Sequence, residues 1–229
     1  MSKSFYSHFR FLKSDLKAWY NHLKTVEYCS YSKVDKVFSF DAETNGLWGE
    51  PFSVGAVVTE RGLPVAEFIG TCPIQGEVNQ WVAENVVPQC GEITHPNLYS
   101  LLVDFGKFYH KHREGAVFIA HMGYIVEAYL LRLMRQHNII GEWEAPYPLH
   151  DLASIIYGEQ IWYDDDKKRF DPVSIDTSLK YYKSSPSEYY EKIYKAYEKA
   201  TAKIAGKTHN PLWDSYQAAE MFAYMTKIV

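Results

Sequence analysis

Apolar positions along this chain recur either at helical spacing or as short runs broken by turn residues, and the alternation of the two marks out its elements. Near the N-terminus, Phe9, Leu12, Leu16, Trp19 and Leu23 follow a helical stripe. They predict an amphipathic helix over 4–27 and an N-terminal helical extension over residues 1–35, followed by one domain over 36–229. Apolar runs at 36–42, 52–58 and 63–70 read as three strands, the last two joined by a hairpin turn at Glu60-Arg61-Gly62. A short helix over 80–87 is expected to end before Pro88. A longer one over 97–113 sets Leu98, Leu101, Leu102, Phe105 and Phe108 on one side. Residues 115–120 form a continuous apolar run, as in a strand covered on both faces. A helix follows over 124–137, with Gly141 just beyond it, and then a strand-to-helix transition within 148–157. After a polar, hairpin-like stretch at 164–177, two more helices are predicted near 186–204 and 214–228. Three strands in succession, then alternating helices and strands, predict an α/β domain whose sheet begins antiparallel and becomes parallel.

Composition narrows this picture without changing it. At 229 residues, with 47% apolar and 23% charged positions, the chain has ordinary globular values. The formal net charge of -4 excludes a strongly basic protein that coats nucleic acid, but not an enzyme whose own site is acidic. Cys29, Cys72 and Cys90 lie far apart, which predicts free thiols in a reducing compartment. With no run of 18 apolar residues and no apolar leader, the expectation is a soluble cytoplasmic protein that does not engage a membrane.

Candidate chemistry starts at residues 37–47. Asp41 and Glu43 stand two positions apart at the end of an apolar strand, so their side chains share one side of it. Carboxylates brought together away from water repel one another unless a cation neutralises them. A solvated turn at Asn45-Gly46 is the competing reading, and it leaves acids behind Phe38 and Phe40 unexplained. Glu127 falls in register with Leu131 and Met134 on the inward stripe of its helix, although an exposed first-turn acid is the ordinary alternative. Asp214 lines up with Ala218, Phe222 and Met225, yet Asp214-Ser-Tyr-Gln217 also has the pattern of a capping box, and both readings stand. Asp151 reads first as a helix cap and second as a support for a metal ligand. The run Asp164-Asp-Asp166 reads as a solvated hairpin tip.

Taken together, these motifs resemble the DEDDh family of 3′–5′ exonucleases over about residues 36–228. Phe40-Asp-Ala-Glu-Thr-Asn-Gly-Leu47 is close to the family's Asp-x-Glu-Thr-x-Gly-Leu, and His209 stands five residues before Asp214, as in its His-x4-Asp motif. The middle motif departs: five residues after His121 stands Val126, and the acid is Glu127, one position later and one methylene longer than the family's Asp. The resemblance implies a ribonuclease H-like (exonuclease) fold, a mixed central sheet flanked by helices. It implies two Mg²⁺ or Mn²⁺ ions held by Asp41, Glu43, Glu127 and Asp214, with oxygen donors suited to hard cations. It makes His209 the general base, a task for which an imidazole is suited. It also places the terminal base near Thr44, Asn45, Leu47 and Trp48, with Met122 and Tyr124 as a second wall, since stacking tolerates any base.

The expected function is therefore a metal-dependent 3′–5′ exonuclease that takes the 3′ end of single-stranded RNA or DNA and releases nucleoside 5′-monophosphates. RNA is placed slightly ahead, because no polymerase partner for proofreading is visible. The alternative is a catalytically weakened nucleic-acid or nucleotide-binding module on the same fold, motivated by Val126 and Glu127. A homodimer is left open. Lys and Tyr are frequent over 179–207, but the spacing of Tyr190, Ile193, Tyr197 and Ile204 favours a packing helix with a solvated basic face.

Overall fold

The computed structural model describes residues 34–121, 123–155 and 208–226, with side chains in the last helix described as far as Ala223. The helix expected over 4–27, the charged run at 164–166 and the basic segment at 179–207 lie outside the described residues, as does Met122. The first strand, β1, runs from Lys36 to Thr44 and carries Glu43 inside it rather than after it. Its longer span reflects pairing with the next strand, since its parallel neighbour meets it only at Val37, Phe38 and Ser39. β2 (Pro51–Glu60) lies antiparallel to it along its whole length, so the ladder continues through the acids to a bulge between Glu43 and Thr44. β3 (Leu63–Thr71) returns antiparallel to β2. Their connection is the two residues Arg61 and Gly62, at φ 51° and 73°, the left-handed pair that a tight hairpin requires.

Helix α1 (Gln80–Asn85) is capped by the Asn79 side chain, and a 3₁₀ turn over Val87–Gln89 follows it. Pro88 therefore sits inside this turn instead of just beyond a single helix. α2 (Leu98–His112), capped by Asn97, buries Leu101, Leu102, Phe105 and Tyr109 against the sheet. β4 (Val117–Ala120) pairs parallel with β1, and β5 (Leu149–Asp151) pairs parallel with β4. Between them, α3 (Val126–Gln136) is stopped by His137 and by Asn138 at φ 56°. Asn is among the few residues that enter the left-handed region readily, so the helix ends before Gly141. The result is a mixed α/β domain with a five-stranded sheet in the order β3-β2-β1-β4-β5, flanked by helices.

Alternation along β1 sends its residues to two different interiors. Phe38, Phe40 and Ala42 join the apolar core under α2 and α3. Phe38 meets Phe40, Phe105, Phe108 and Tyr109 edge-on, the arrangement that ring quadrupoles favour. Val37, Ser39, Asp41 and Glu43 point to the opposite face, where α4 (Pro211–Thr226) packs across β1 and β2. The last helix thus starts three residues earlier than periodicity alone suggests. Asn210 accepts the Trp213 N–H at 3.1 Å as its cap, and Pro211 takes the first helical position, where no backbone donor is needed. This corrects the capping-box reading of Asp214, which lies within the first turn instead.

Candidate metal centre

Three elements deliver the acids. β1 presents Asp41 and Glu43 from one face of the sheet, and the first turn of α4 brings Asp214 over that face. One carboxylate oxygen of each of the three lies within 4.8 Å of the others. What permits so close an approach is Gly55 on β2, the direct cross-strand partner of Asp41. A Cβ placed there would stand 2.1 Å from the Leu212 nitrogen and 2.2 Å from the Pro211 carbonyl carbon. The Ser215 hydroxyl shares its proton between the Pro211 carbonyl of its own helix at 2.6 Å and the Gly55 carbonyl at 3.0 Å, joining α4 to the strand. A glycine inside a strand is a sign of close backbone approach. Neither Gly55 nor Ser215 is among the residues that motif reading picks out, although Gly55 was the visible signal. Gly55→Ala is expected to push α4 off the sheet and cost about 3 kcal/mol, seen as a lower denaturant midpoint. It should also weaken stabilisation by divalent cations.

Glu127 enters from the parallel side, in the first turn of α3, and is 3% exposed. Its Oε2 is buried without a hydrogen-bond partner among the described residues. An orphaned acceptor beside an acidic cluster is costly on its own and is the kind of oxygen a hard cation satisfies. Asp151, at the end of β5, accepts the Ser154 N–H through Oδ1 at 2.6 Å as a helix cap, while its Oδ2 is buried with no partner among the described residues. Its charge is among those that bear on Glu127.

Electrostatics reflect this crowding. Burial first, and then the charges of Glu43, Glu127 and Asp214, push the Asp41 carboxyl well above the usual carboxylate range. Burial together with Asp214 and Glu127 raises Glu43 to about 8. Burial raises Asp214 to about 7, against the pull of the His209 backbone N–H. It also raises Glu127 to about 7, against hydrogen bonding from the Glu127 and Ala42 backbones and from Asp41. At neutral pH the metal-free cluster therefore retains protons, and a cation held there would take their place as the neutralising charge. Every donor is an oxygen, which fits Mg²⁺ or Mn²⁺.

His209 sits at the mouth of the centre, its Nδ1 3.8 Å from Glu43 Oε1. Burial lowers its pKa, so the ring is neutral at pH 7 and has a lone pair available. Its backbone occupies the left-handed region, at φ 69°. That conformation is held by Asp214 Oδ2, which accepts the His209 N–H at 3.0 Å, and by Asn210, whose amide donates to the Gln89 carbonyl at 2.8 Å.

The residues expected to line a base pocket divide into two groups. The Thr44 hydroxyl donates to the Gly46 carbonyl, and the Asn45 amide is occupied by Glu77 and Asn79, so both side chains organise the loop. Leu47, Trp48 and Tyr124 are exposed, at 55%, 80% and 64%.

Comparison with known proteins finds no family model that matches this chain and no curated protein that matches it. Among the described residues, no helix is long and apolar enough to cross a membrane.

Proposed function

We propose that the protein is a metal-dependent 3′–5′ exonuclease of the DEDDh type acting on single-stranded nucleic acid. The observation that carries this reading is the meeting of Asp41, Glu43 and Asp214 within 4.8 Å, with buried Glu127 beside Asp41 and neutral His209 beside Glu43. The motif resemblance and the mixed sheet, antiparallel over β1–β3 and parallel over β4 and β5, support a ribonuclease H-like domain. Asp41, Glu43, Glu127 and Asp214 would hold two Mg²⁺ or Mn²⁺ ions, which supply charge stabilisation to the attacking and leaving oxygens of a phosphodiester. His209 accepts the proton of the attacking water, and its lowered pKa keeps it in the basic form at neutral pH. Leu47, Trp48 and Tyr124 offer exposed apolar surface on which a terminal nucleotide can rest.

The test uses 3′-free and 3′-blocked single-stranded RNA and DNA with Mg²⁺ or Mn²⁺. Stepwise shortening of the 3′-free strands alone, with release of nucleoside 5′-monophosphates, is the expected result. His209→Ala should lower kcat by roughly 10²- to 10⁴-fold while the cation-induced rise in Tm persists. An unchanged rate removes His209 as the base. Binding of single strands without any product overturns the enzyme reading in favour of a binding module.

A further inference from the structure

Helix α1 is short, and its buried residue is Val82. Trp81, next to it, leaves 55% of its surface in solvent and adds little to the core. Its ring nevertheless meets the His209 imidazole edge-on, with centroids 5.4 Å apart and planes at 88°. The helix that carries it is tied directly to the acid-bearing strand. Asn45, immediately after β1, accepts the Asn79 N–H at 2.8 Å through its side-chain oxygen and donates to the Glu77 carbonyl at 2.9 Å. Asn79 in turn accepts the Val82 N–H at 3.2 Å and caps α1. At the other end of the segment, Cys90 Sγ lies 3.7 Å from the His209 carbonyl oxygen, and Asn210 donates to Gln89. Burial pushes the Cys90 thiol up to about 12, so it stays protonated, its one proton shared between the His209 carbonyl and the nearer Val86 carbonyl at 3.4 Å. The segment 77–90 thus grips the His209 loop by its ring at one end and by its backbone at the other.

We propose that Trp81 is a positioning residue for His209, and that the Asn45–Asn79 clamp transmits the placement of β1, and so of Asp41 and Glu43, to the imidazole. The kinetic arm of this proposal rests on the exonuclease reading above. A left-handed histidine in a loop has an imidazole free to swing unless something flanks it, and misplacement of a base by about 1 Å can cost 10²-fold in rate. The indole ring supplies that flank while remaining largely exposed to water.

Trp81→Ala is expected to lower kcat by roughly 10- to 100-fold, with KM for a short oligonucleotide within about twofold. Trp81→Phe, which retains a ring, should recover most of the rate. Added to His209→Ala, Trp81→Ala should cost nothing further, because the two residues act as one unit. A rise in KM with kcat unchanged overturns the proposal, as does an equal fractional loss in both backgrounds, since either marks Trp81 as a substrate contact. The contact has a readout apart from activity: the imidazole NMR signals of His209 in the metal-free protein should shift in Trp81→Ala and move back in Trp81→Phe. Unshifted signals overturn it. Shifted signals in a protein whose wild type hydrolyses nothing support the positioning contact while removing the exonuclease reading.

Discussion

Asp41→Asn is expected to abolish the proposed hydrolysis and, in the metal-free protein, to raise Tm. These opposite signs follow from one cause. The Asp41 carboxyl is pushed well above its ordinary range, by burial and then by three neighbouring acids. In the proposed active complex its charge would help to hold the cations, and removing charge stabilisation worth about 4 kcal/mol slows a reaction roughly a thousandfold. Without cations the same group is a liability, because its ionisation is opposed by every acid around it. Asparagine has nearly the same shape and never ionises, so the metal-free fold gains while cation binding is lost. Thermal melts with EDTA and with Mg²⁺ or Mn²⁺, together with a single-turnover assay, check both halves. A lower Tm in EDTA would show that Asp41 supports the fold and would count against the metal centre.

A metal-free protein that loses stability between about pH 5 and pH 8 is the second large effect expected. In the unfolded chain these carboxyls titrate near pH 4. In the fold Glu43 keeps its proton up to about 8, and Glu127 and Asp214 up to about 7. Between those limits the folded chain binds more protons than the unfolded one, so stability falls as pH rises. It is whole below the unfolded values and is lost as pH passes through 7 to 8. For coupled groups sharing one volume the loss should be of order 3 kcal/mol, or about 10 °C in Tm. Excess Mg²⁺ or Mn²⁺ should flatten this slope, and apparent cation affinity should rise over the same interval as the bound protons leave. A metal-free Tm that is level from pH 5 to pH 9 would refute the arrangement of charges.

Much of this centre was legible before any coordinates. Two acids two residues apart on an apolar strand must share a side, because strand geometry has period two. The inward stripe of Glu127, Leu131 and Met134 likewise follows from helical period, and the structure buries all three. Where reading by period went astray, a local signal had been outweighed. Asn210-Pro211 is a cap followed by a proline suited to the first helical position. The helix therefore begins there, and Asp214 belongs to its first turn. The bonds of the Asn45 amide to Glu77 and Asn79 join residues more than thirty positions apart, which no local pattern announces.

Among the described residues, the sequence by itself determined which segments are strands and which are helices, the sidedness of Asp41 and Glu43, and the acid and histidine types available to a cation and a proton. These follow from short-range periodicity and side-chain chemistry, which are properties of neighbouring residues. Only the tertiary structure decided that Asp214 meets Asp41, because that depends on Gly55 letting α4 lie against β2. It also decided that Trp81 flanks His209, across more than a hundred residues of chain. Such contacts depend on which surfaces are left bare when the sheet and helices close, and no local pattern encodes that.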